Sequence, residues 1–137
     1  MRQARDTFLR YLNDNLPDIT VHNLRKDTNY PSANQILLNA VNVQFLTDDL
    51  QIAQSNVMAA VDVVYDDELT AIDAATEVVK LLSQSGYTEL ADYANPENPV
   101  PLGSNLFWDV SGIKFRPVYG ELYFRHSALI VLSYHLY

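Results

Sequence analysis

Residues 55–86 read SNVMAAVDVVYDDELTAIDAATEVVKLLSQSG, and the fold is decided here. Val57, Ala59, Val61, Val63 and Tyr65 fall at every second position. That period marks a strand with one buried face. Asp66 and Asp67 interrupt the run, and then Leu69, Ile72, Ala75, Val79 and Leu82 recur at helical spacing. The pattern predicts a helix over about 67–85. An aspartate suits the N-cap, and acids in the first turn suit the positive end of the helix dipole. Gly86 fits just past the end, because glycine tolerates the left-handed backbone that often closes a helix.

Upstream, residues 36–46 (ILLNAVNVQFL) alternate Val41, Val43 and Phe45 with Asn42 and Gln44, which predicts another strand. The link TDDLQIAQ is short, so the two strands are expected to pair as an antiparallel hairpin. Residues 19–24 (ITVHNL) read as a short strand, and residues 25–35 as a polar loop holding Pro31. Residues 2–15 predict a helix with Ala4, Phe8, Tyr11, Leu12 and Asn15 on one face and arginines on the other. Pro17 ends it, since proline donates no backbone hydrogen bond and disfavours helix just before itself.

Downstream, residues 87–105 carry three of the six prolines and read as a long connecting loop, with a helical turn at TELADYA. Residues 106–118 predict a strand with a bulge at Ser111–Gly112. Residues 121–136 predict a long last strand with Leu122, Phe124, His126, Ala128, Ile130, Leu132, Tyr134 and Leu136 on one face. The order α-β-β-β-α-β-β predicts an α+β fold: a mostly antiparallel sheet packed by two helices, in a single domain over residues 1–137.

Composition narrows the function. Hydrophobic residues make up 48% of the 137 and charged residues 19%, which excludes general disorder and suits one core. Seventeen acids against nine bases leave a formal charge of −8, a poor match for a phosphate backbone. The absence of cysteine excludes disulfides, thiolate metal sites and thiol nucleophiles. No apolar run reaches signal-peptide or membrane-spanning length, so no membrane partner is expected and folding is expected in the cytoplasm.

Chemistry-bearing motifs are sparse. His126 and His135 lie nine apart on one predicted strand, hence on opposite faces, so no metal site is expected. Asp62, Asp66, Asp67 and Glu68 form the densest carboxylate group. Helix capping accounts for the last three, and Asp62 is expected to face solvent between Val61 and Val63. There is no GxGxxG, no GxxxxGK[ST] and no nucleophile elbow around Ser104, so neither a cofactor nor a catalytic residue is expected. A small enzyme built on His22, His126 and carboxylates remains an alternative, as does a ligand-binding module with an aromatic pocket near Trp108.

Charge is distributed unevenly. Residues 1–26 hold five of the nine bases, whereas residues 48–97 hold eleven acids and only Lys80 as a base. This predicts pairing of a basic end with an acidic middle, between subunits. Tyr30, Tyr87, Tyr93 and Tyr119 fall in predicted loops, where tyrosine favours protein interfaces.

The segments RQARDTFLRYLNDNLPD, VDVVYDDE, LTAIDAATEVVKLL and RHSALIVLSYHLY, in this order, resemble the tail terminator (tail-completion) proteins of long-tailed bacteriophages. That resemblance implies a small structural virion subunit in a hexameric ring, which ends tail-tube polymerisation and offers the head-joining surface. It implies self-association, contact with tail-tube and head-completion neck proteins, and DNA only in transit through the lumen. It implies no catalytic residue and no cofactor. Another neck component, such as a head-closure or tail-tube protein, is the alternative within the same setting. Interface candidates are Arg2, Arg5, Arg10, Tyr30, Asp48, Asp49, Asp66, Asp67 and Tyr93. The acids Asp48, Asp49, Asp66 and Asp67 would line a lumen that repels DNA. Deleting residues 95–101 is expected to weaken docking and to leave the circular-dichroism melting transition in place.

Overall fold

The computed structural model describes residues 2–24, 37–50 and 54–135. The chain is α+β. Helix α1 (Arg2–Asn15) leads into strands β1 (Val21–Leu24), β2 (Ala40–Leu50) and β3 (Gln54–Tyr65). Helix α2 (Glu68–Gln84) follows, then β4 (Tyr87–Asp92), β5 (Val100–Trp108), a short 3-10 turn (Val110–Gly112), β6 (Arg116–Val118) and β7 (Phe124–His135). The sheet order is β1-β2-β3-β7-β5-β4, with β6 also paired to β7.

The predicted hairpin forms: β2 and β3 pair antiparallel from Ala40–Val64 out to Leu50–Ser55, with a bulge between Phe45 and Thr47. β3 then pairs along its whole length with β7, so these two strands are the spine of the sheet. The expectation of a mostly antiparallel sheet needs one correction, because β1 lies parallel to β2, Val21 against Val41. The sheet is therefore mixed.

Residues 87–105 are not a connecting loop. They form the antiparallel β4–β5 hairpin, and the expected helical turn at TELADYA is strand β4. Prolines 96, 99 and 101 suggested a loop, yet Pro96 and Pro99 fall in the tip and Pro101 sits at an irregular register opposite Ala91. The predicted strand 106–118 is likewise split between β5, the 3-10 turn and β6.

Helix α2 starts where predicted. The Asp67 carboxylate accepts hydrogen bonds from the Thr70 amide at 2.9 Å and the Thr70 hydroxyl at 2.7 Å. Those bonds hold its carboxyl below the usual carboxylate range. Its capping contribution is thus complete above the unfolded value and fades as pH falls through the lowered folded one.

The buried stripe of α2 differs from the expected one. Ala71, Ala74, Ala75, Val78, Leu81 and Leu82 face the core, while Leu69 is 72% exposed and Ile72 43%. The alanines let the helix sit close to the sheet, and that rotates the larger residues onto its flank. The end of α2 also departs from expectation, because Ser85 and not a left-handed Gly86 ends it, in extended backbone. The last carbonyls of a helix lack intrahelical partners. Here Trp108 Nε1 donates to Leu82 O at 2.8 Å, and the Tyr11 hydroxyl donates to Leu81 O at 3.4 Å. Gly86 serves a different purpose: a Cβ there would meet Val110 Cγ2 at 3.0 Å and Trp108 O at 3.2 Å.

Both helices lie on one face of the sheet, over a single contiguous core. Helix α1 touches both β1 and β4, the two ends of the strand order, so the sheet curls around it. Thr7 Oγ1 donates to Ala91 O at 3.2 Å and accepts from Ala91 N at 3.3 Å, stitching α1 to β4. Phe8 meets the Trp108 ring edge-on at 6.1 Å between centroids, and Tyr11 lies 5.3 Å from it. Phe8 is fully buried, so Phe8→Ala is expected to cost about 3–5 kcal/mol. Urea titration read by Trp108 fluorescence measures this, and a loss below about 1 kcal/mol would contradict the assignment of α1 to the core.

Candidate functional site

The face of the sheet opposite the helices carries the unusual chemistry. Asp62 on β3 sits at the same register as Asn42 on β2 and Ser127 on β7. It was expected in solvent but is only 7% exposed, because a neighbouring cation covers it. Arg125 Nε donates to Asp62 Oδ1 at 2.9 Å and to Ser127 Oγ at 3.2 Å, and Nη1 donates to Glu121 Oε1 at 3.3 Å. The Ser127 hydroxyl also donates to Asp62. Partial burial pulls the Arg125 guanidinium down, but the two carboxylates outweigh that and raise it above its ordinary value. The Tyr123 hydroxyl is also pushed up, chiefly by its hydrogen bond to Glu121.

This serine–carboxylate–arginine cluster is an electrostatic brace between β3 and β7. The adjacent His126 lies on the other face of β7, opposite Val63, and Asp62, the carboxylate that accepts from the Ser127 hydroxyl, is already held by Arg125. His22 shares the Asn42 register on β1, three strands from β7. That is roughly 14 Å at the usual strand spacing. Trp108 is buried against Phe8 and Tyr11 and has its indole nitrogen committed to Leu82. Among the described residues, no group of three or more His, Asp or Glu side chains could hold a metal ion. No helix among them is long and apolar enough to cross a membrane.

Beside the brace the open face also exposes large apolar side chains. Tyr87, Phe107, Leu129 and Val131 are all exposed, with the bulged Leu46 nearby on β2. Tyr87 and Phe107 face each other across β4 and β5, with ring centroids 6.1 Å apart.

A second feature lies on the flank of the molecule. A cleft of about 520 Å³ runs between α2 and residues 113–116. Ile72 and Val79 from the rotated flank of α2 meet Ile113 and Phe115 to form its apolar walls, and Lys80, Lys114, Arg116 and His126 rim it. Lys114 and Arg116 also border a hollow of about 620 Å³ beside Arg125 on the open face. Four of the nine bases in this acidic chain thus gather here.

The residues chosen from sequence as interface candidates do not form one patch. Arg2 approaches Asp92 at 3.8 Å, Arg10 pairs with Asp14 at 3.1 Å, and Arg10 also lies 5.8 Å from the Tyr93 ring centre. Arg5 lies 5.4 Å from the Phe45 ring centre. Arg2 of the basic helix thus approaches one acid of the middle segment within the chain itself. Asp48 and Asp49 align with Val57 and Asn56 near one end of β3, while Asp66 and Asp67 follow its other end. Tyr30 lies outside the described residues. The sequence pattern placed Asp62 in solvent and did not single out Arg125 or the Lys114–Arg116 pair. Only the clustering of bases at 114, 116 and 125, in a chain otherwise acidic after residue 26, hints at the last.

A scan against protein-family models finds no match, and a search of curated proteins finds none. Asp62→Ala is expected to lose about 2–3 kcal/mol, below the usual cost of breaking a fully buried pair because Arg125 keeps some solvent contact. Replacing both partners, as Asp62→Leu with Arg125→Met, is expected to cost less than the single change. Guanidinium titration of the two variants beside the parent chain measures the difference.

Proposed function

We propose that the chain is a self-assembling structural subunit of the phage tail-terminator kind. It would form a ring, hexameric by that resemblance, that caps a tail tube and presents the head-joining surface. One observation carries this reading. Helices cover one face of the sheet, and the other exposes Tyr87, Phe107, Leu129 and Val131 together. Contiguous exposed apolar surface on a small folded chain marks a place where another protein sits. Tyrosine and phenylalanine are also the side chains that interfaces favour.

The chemistry around that face supports assembly better than turnover. The Asp62–Arg125–Ser127–Glu121 cluster satisfies its own charges and stiffens the two central strands. A stiff, apolar platform suits docking to tube and neck proteins. The formal charge of −8 keeps passing DNA from adhering.

A ring requires each subunit to present two different surfaces, one to each neighbour. Sedimentation velocity over a wide concentration range tests this. A six-subunit species, or a monomer–hexamer equilibrium, is the expected result. A stable dimer would overturn it, because a two-fold contact uses up the same surface on both partners and closes without a ring.

A further inference from the structure

The geometry points to the contact that links one copy to the next: the tip of the β4–β5 hairpin of one subunit seats in the cationic cleft beside α2 of its neighbour. This rests on the self-association in the ring reading and on nothing else in it.

The cleft is built for an acidic, partly apolar segment. Its walls are apolar, from Ile72, Val79, Ile113 and Phe115, and its rim is cationic, from Lys114 and Arg116. Both cations are exposed, and among the described residues neither charged end has a hydrogen-bond or ion-pair partner. In a chain of net charge −8 they make a local positive rim that complements an acidic partner.

The hairpin supplies the complement. It carries Glu89, Asp92 and Glu97 and no base over residues 87–102. Asp92 is turned toward Arg2 of its own chain, which leaves Glu97 at the tip. Val100 and Leu102 beside it are exposed apolar residues. The tip is also preorganised. Asn95 accepts from the Glu97 amide at 3.2 Å through its side chain and from the Asn98 amide at 3.0 Å through its carbonyl. Ala94 N donates to Asp92 Oδ1 at 2.9 Å, and prolines 96, 99 and 101 restrict the backbone. A segment already held in shape loses little entropy on docking.

Position matters as much as charge. The tip projects past the end of the sheet where Gln54 pairs with His135, with Ser104 Oγ donating to His135 O. The cleft lies toward the other end of β7, where Arg116 pairs with Ser127. Tip and cleft are thus separate surfaces of one molecule, so their union is head-to-tail and propagates from copy to copy.

The chain has no cysteine, so introduced thiols report contacts without background. In the full chain carrying Glu97→Cys and Lys114→Cys, mild oxidation is expected to give a ladder of disulfide-linked dimers, trimers and higher species. The control Glu97→Cys with Asp14→Cys is expected to stay at background. Separately, Lys114→Glu is expected to weaken self-association at least tenfold, with Glu97→Lys in the same chain restoring it in part. Circular-dichroism melting confirms that each variant folds. Oligomers by sedimentation velocity without the 97–114 ladder would overturn the contact and leave the ring reading standing. Cross-linked dimers that never extend further would overturn the head-to-tail arrangement. A monomer at every concentration with no ladder would overturn both.

Discussion

The unpaired carbonyls at the end of α2 are the constraint around which the molecule is organised. Leu81 and Leu82 present backbone oxygens that the helix cannot satisfy, and aromatic donors from distant segments meet them. Tyr11 comes from the first helix and Trp108 from the end of β5. Because the same indole also packs against Phe8, one junction fixes α1, α2 and β5 relative to one another. Gly86 belongs to this junction, since a Cβ there would crowd Val110 Cγ2 and the Trp108 carbonyl. With the helices locked on one side, the sheet is left with an uncovered face, and the proposed assembly follows from that asymmetry.

Much of this was legible in the residues. The alternation in 36–46 and 55–65 located two strands and their pairing, and the Asp67 cap located the start of α2, because those signals are local. What escaped detection was set by tertiary context. Alanine carries little hydropathy, so the leucine and isoleucine positions drew the predicted stripe of α2 toward its flank, whereas close packing selects the small residues for the core. Asp62 obeyed the rule that polar residues alternate outward, but Arg125 on the neighbouring strand closes over it. The parallel placement of β1 has no sequence signature, since four residues cannot specify a direction by pattern. Prolines concealed the β4–β5 hairpin because they cluster at its tip and at an irregular register.

The candidate surfaces were less legible than the fold. Single residues such as Arg2, Arg10 and Tyr93 stood out by type, yet the structure spends them on contacts within α1 or between α1 and the β4 region. The cleft arises from the rotation of α2, which places Ile72 and Val79 opposite Ile113 and Phe115. No linear pattern encodes a wall shared by a helix and a loop forty residues later. The same rotation that buries the alanines therefore creates the apolar cleft, so packing economy in the core and surface chemistry outside it have one origin.

The Phe8–Trp108 contact also sets the order of events in synthesis. Trp108 follows Phe8 by 100 residues, and Ala91 follows Thr7 by 84. Helix α1 is made before β4 and β5, so its docking surface is incomplete until β5 has been made. At about 5–20 residues per second, the helix waits roughly 5–20 s with Phe8 and Leu12 uncovered. The α1 contacts therefore join residues far apart in sequence, and closures of that span are slow relative to local ones.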